Sequence, residues 1–157
     1  MGLDVSVYRN LRKPTVEETE NEEWDVSTHV DHPSWKYKMN NFEADSYYMA
    51  DRIDGADVRY SYSSHSFFRN ELCRITNWEM DFDNCEELKD KPFYEMINFT
   101  DCDGCLDWEI ASILYKNFCD HEETARKEFN NRWFGKYQDW KNVFKEGKEV
   151  GSLVDFH

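Results

Sequence analysis

The chain has 157 residues, about one domain's worth, with a net charge of −14 and 39% hydrophobic residues. Aromatic residues make up 17% of it, and each ring can bury about 150–250 Å², so a core short of aliphatics can still close and disorder is excluded. With 6 Gly and 3 Pro, fibrous and low-complexity classes are excluded as well.

In chain order, Leu3, Val5 and Val7 alternate with Asp4 and Ser6, the period of a half-buried strand. Residues 10–57 read as irregular, acidic and partly loop. A polar loop runs over 10–25 from near Pro14, Trp35, Tyr37 and Met39 alternate, and Asp51–Asp57 with Gly55 resembles a turn. The alternation of residues 58–63 predicts a strand, followed by a helix capped at Ser64 or Ser66 with Phe68, Leu72 and Ile75 on its buried side. Residues 79–91 form a connection, and residues 92–97 are apolar but too short to type.

A helix from Asp107 carries the stripe Ile110, Ala111, Leu114 and Phe118. Another from Glu122 carries Ala125, Phe129, Trp133, Tyr137, Trp140 and Phe144, with Glu122–Arg126, Glu123–Lys127 and Glu128–Arg132 as i,i+4 pairs outside. That stripe is expected to be core, not a platform for stacking bases. Gly147 and Gly151 end the helix, and Leu153–His157 suits a closing strand. The expected fold is α+β: a single domain over 1–157, with a mostly antiparallel sheet including both terminal strands, packed by two or three helices.

Charge and cysteine usage narrow the partners. The acids cluster in two runs, Glu17 to Asp25 and Glu79 to Asp90. Such a field disfavours nucleic acid and anionic membranes, both of which demand cationic groups. The runs read as solvated faces, with imitation of DNA phosphates as the sharper alternative. No apolar stretch approaches the ~18 residues of a membrane span and no leader opens the chain, so a cytoplasmic protein is expected. Five cysteines, an odd number, point to buried free thiols in a reducing compartment. Cys102 and Cys105 have the spacing of a zinc pair, but no second pair follows at finger spacing. Neither metal nor cofactor is expected.

Polar segments entering helices are natural binding sites, because the first helical N–H groups lack acceptors within the helix. One such joint supplies Tyr60, Tyr62, Ser64 and His65, with Arg69 a turn later. A second supplies Asp101 and Asp103. As third and fifth positions of a calcium loop these would put Phe99 first and Ile110 twelfth, which excludes an EF-hand. Pairing of the terminal strands adds Asp155 and His157, on one face of the last strand and near Asp4. Among these, Arg69 is the expected anchor for an anion.

Residues Met1–Val5, the segment 92–99 leading into 101–104, and the closing 154–157 resemble a family of short uncharacterised proteins of bacteria and tailed phages. There the loop usually runs Ser-Asp-Cys-Glu-Gly, so Thr100 and Asp103 depart mildly, and residues 10–57 lie outside the resemblance. The resemblance implies an accessory or counter-defence role, in the host cytoplasm if phage-encoded. The leading expectation is a non-enzymatic binding protein that captures a small polar or anionic ligand or a host protein. A small metal-dependent hydrolase or transferase built on Asp101, Asp103 and His157 is the alternative, and an acidic nucleic-acid mimic is the third.

Overall fold

The structure, a computed structural model, describes residues 2–28, 39–99 and 104–157. In chain order the strands are β1 (Gly2–Arg12), β2 (Val26–Ser27), β3 (Tyr47–Ser61), β4 (Gly104–Asp107) and β5 (Leu153–Phe156). The helices are α1 (Val16–Glu20), α2 (Tyr62–Ile75), α3 (Cys85–Leu88), α4 (Tyr94–Ile97), α5 (Trp108–Asp120), α6 (Glu122–Glu128) and α7 (Asn131–Gly147). They make an α+β single domain around one antiparallel sheet of order β2-β3-β1-β5-β4.

Both terminal strands lie side by side within the sheet. Val5 pairs with Phe156 and Val7 with Val154, and reciprocal backbone bonds of 2.8 Å join Asp4 to His157. Because side chains alternate along a strand, each strand feeds two faces. Leu3, Val5, Val7, Val58, Val154 and Phe156 enter the core beneath α2, α5 and α7. Their neighbours Tyr8, Cys105 and Leu153 turn to the opposite face, where Val26 and Tyr48 complete a smaller cluster.

Several elements differ from the sequence reading. β1 runs on to Arg12 and α1 folds within residues 10–25, read as a loop, and β4 forms just before the helix from Asp107. Three further differences concern β3, α2 and the late helix. Residues 47–57 belong to the long strand β3, and the turn signal at Gly55 (φ +75°) is a bulge within it. The register against β1 shifts there, between Ser6 and Tyr8, and Asn142 of α7 donates to the Gly55 carbonyl at 2.8 Å. The glycine signal was local; the long-range pairing that absorbs it was not visible. Second, α2 begins a turn early, because Ser61 accepts from the Ser64 N–H at 3.2 Å and ends the strand. Third, the late helix is two helices. Phe129 is extended and Asn130 caps α7 by accepting from the Trp133 N–H at 2.9 Å. Glu128 therefore meets Arg74 at 3.3 Å instead of Arg132, and Glu123 lies nearest Arg126, at 4.0 Å. The stripe keeps its phase across the break: Phe129, Tyr137, Trp140 and Phe144 are buried, while Trp133 is partly exposed.

Candidate functional site

The sequence-derived candidates fall into three places. The first is the start of α2, where strand alternation ends and helical spacing begins. Tyr60 donates to Asp139 Oδ2 at 3.2 Å, and burial with the Asp139 charge pushes its phenol pKa up. Tyr62 is half-buried against the core. His65 has no exposed surface, its ring lies tilted 5.4 Å from that of Trp140, and among the described residues neither ring nitrogen has a hydrogen-bond partner. Burial, then the Arg69 and Lys136 charges, push it down to about 3, so it is a neutral core imidazole. It therefore cannot line an open pocket.

Ser64, half-buried, meets the Lys136 amine in a hydrogen bond. Lys136 is 9% exposed, and its Nζ lies 4.1 Å from the Tyr60 ring centre and 4.7 Å from that of Trp133. Burial and the Arg132 charge lower its pKa, with Asp139 opposing. Sequence reading missed Lys136. The available signal was its place on the apolar stripe, three residues after Trp133 and four before Trp140, where a lysine is out of pattern.

The second place is a groove on the far side of α2. It has a volume of about 800 Å³ and is lined by Ser66, Arg69, Asn70, Asn77, Trp78 and Met80, among others. Arg69 Nη1 donates to the Phe99 carbonyl at 2.9 Å, which ties α2 to the chain after α4. Trp78 is 7% exposed, and among the described residues its buried indole N–H has no acceptor. Burial raises the neighbouring Cys73 thiol to about 11, so it stays protonated. The exposed Phe82 ring also lines the groove. Helical spacing explains the separation: residues 66, 69, 70 and 73 occupy one flank of α2, and residues 64 and 67 the other.

The third place is the opposite face of the sheet. Asp155, 9% exposed, accepts from the Cys105 thiol at 3.3 Å and lies 3.0 Å from His157 Nδ1. That hydrogen bond raises the His157 pKa. Asp4 pairs with Arg59 at 2.5 Å on the same face, so Asp4, Asp155 and His157 are neighbours as the pairing of terminal strands implied. Asp101 and Asp103 lie outside the described residues, as does Cys102. Among the described residues, no group of three or more His, Cys, Asp or Glu side chains is placed to hold a metal ion. The structure thus separates His65, Arg69 and the Asp155–His157 pair instead of joining them in one pocket.

The acidic runs are partly structural. Glu18 closes a capping box with Thr15, and the Arg12 guanidinium holds its carboxyl at about 2. Asp81 caps the turn at Phe82–Asn84 by accepting from the Asp83 N–H at 3.0 Å. Among the described residues, no helix is long and apolar enough to cross a membrane.

Fold and sites define an α+β single domain with a donor-rich groove beside its first long helix. No family model, curated protein or solved structure matches the chain.

Proposed function

We propose that the chain is a binding protein that captures a small polar, anionic ligand in the groove beside α2. The observation that carries this reading is the groove's volume of about 800 Å³ with Arg69 in its wall, within the ~300–1,000 Å³ usual for small-molecule sites. Among the described residues, Asn70 and Asn77 add side-chain donors, against one carboxylate, that of Glu79. A ligand rich in acceptors would satisfy them, with its apolar part against Met80 and Phe82. In a chain of net charge −14, an anion meets repulsion over most of the surface, and a positive wall is where it can settle. The groove needs no chemistry to do this, and the accessory role implied by the sequence resemblance fits a capture protein.

The test is native mass spectrometry of the chain purified without denaturation, beside its Arg69→Leu variant. The expected result is an acidic small molecule bound one-to-one to the parent chain and missing from the variant. The same adduct on both, or a neutral or cationic one, would count against the groove reading.

A further inference from the structure

On the other flank of α2 lies a pair of side chains that ligand capture does not use. Lys136 Nζ donates a hydrogen bond to Ser64 Oγ, and among the described residues Lys136 has no other hydrogen-bond partner and no ion pair. Asp139, the carboxylate acting on this lysine, accepts instead from the Tyr60 hydroxyl at 3.2 Å. The amine is walled by the Tyr60 and Trp133 rings, at 4.1 and 4.7 Å, and the lysine residue as a whole is 9% exposed. Ser64 retains some exposed surface. One helical turn on, Phe67 is 50% exposed and stacks on Trp133 at 4.9 Å, an open apolar platform beside the hydroxyl.

We infer that Ser64 and Lys136 form a nucleophile–base pair for acyl transfer from small, neutral, apolar carboxylic esters. A serine hydroxyl is a weak nucleophile until a base adjoins it, and a lysine held in an apolar pocket can serve as that base. Ser64 Oγ bonds to the ester carbonyl carbon while its proton passes to Lys136 Nζ. The bond to the leaving oxygen then breaks, and Lys136 returns the proton to that oxygen as the alcohol departs. Water, losing a proton to Lys136, attacks the acyl-Ser64 carbonyl. Oγ recovers the proton, and a carboxylic acid leaves. The balance is ester plus water to acid plus alcohol. The N–H groups of Tyr62 and Ser63, in the first turn of α2, have no intrahelical acceptor and are donors close in sequence to the oxyanion. The platform at Phe67 sets the class of acyl group, and the chain's net charge disfavours anionic substrates.

This site lies across α2 from the groove, so the two readings stand or fall separately. The experiment follows p-nitrophenol release from p-nitrophenyl butyrate, with intact-mass detection of the butyryl adduct, for the full chain and two variants. Ser64→Ala is expected to abolish both adduct and catalysed release. Lys136→Arg keeps the charge and the ring contacts but supplies no base, so release is expected to fall at least ~10²-fold with the melting temperature unchanged. The rate should rise with pH through an apparent pKa below the ordinary lysine value. Release from the parent chain no faster than from Ser64→Ala would overturn the pair. So would a folded Lys136→Arg variant that matches the parent. Should Lys136→Arg fail to fold, the Ser64→Ala comparison alone decides, because that small change leaves the ring cage in place.

Discussion

The two faces of the sheet treat a histidine in opposite ways. Under the helices, His65 is fully buried beside Arg69 and Lys136 and is pushed down to about 3. On the other face, half-exposed His157 leans on Asp155 and is pushed up. The sheet and its alternation are common to both; the difference is what each face is packed against. The helical face is a continuous aromatic core in which Trp140 touches Tyr60, His65, Phe144 and Phe156. The other holds a cluster of four buried apolar residues around a carboxylate hydrogen-bonded by Cys105. Depth of burial decides the first site, and a hydrogen-bonded opposite charge decides the second.

The largest expected effect breaks the helical face. Trp140→Ala should cost ~3–5 kcal/mol, as large-to-small changes in packed cores do, measured by denaturant unfolding. Trp133→Ala, at a partly exposed position, should cost clearly less. Equal losses would mean that the stripe is not packed as described. Gly147→Ala comes next. Its Cβ would collide with a Val154 methyl and approach Ala111 Cβ to 3.3 Å, so overpacking should cost ~1–3 kcal/mol. A neutral result in thermal melting would show that α7 and β5 can move apart.

The comparison then sharpens through pH. His65 is depressed in the folded state, so the stability tied to its neutral form is complete above pH ~6.5 and is lost as pH falls from there toward 3. Its share of the slope approaches ~1.4 kcal/mol per pH unit between those limits, and His65→Phe should flatten the acid limb of a stability–pH curve. His157 is raised, so its smaller share is complete below pH ~6.5 and disappears as pH climbs through its folded pKa. In an NMR titration Asp155→Asn should bring the His157 pKa down toward 6.5, with a stability change under ~1 kcal/mol because the ring is half-exposed.

Much of the fold was legible because its signals are local. Alternation at Leu3–Val7 and Leu153–Phe156 marks two strands that do pair, and Asp107 caps α5 where the sequence placed it, accepting from the Ile110 N–H at 3.2 Å. Long-range choices stayed hidden. Nothing near Gly55 tells a turn from a bulge until β1 lies opposite, and Phe129 fits the stripe whether or not the helix breaks there. The site was less legible for the same reason. Polarity near helix starts marks Ser64, His65 and Arg69 alike, but helical phase sends Ser64 to Lys136, His65 into the core and Arg69 into the groove.

The most direct measurement is an amide and indole NMR titration with phenyl phosphate, an anion carrying an apolar ring. The Trp78 indole N–H and the Asn70 and Asn77 side-chain amides should shift in a saturable way. Those shifts should vanish in Arg69→Leu, which removes the guanidinium charge from the groove wall. Absence of shifts at those groups, or the same saturable shifts in Arg69→Leu, would contradict anion capture in the groove beside α2.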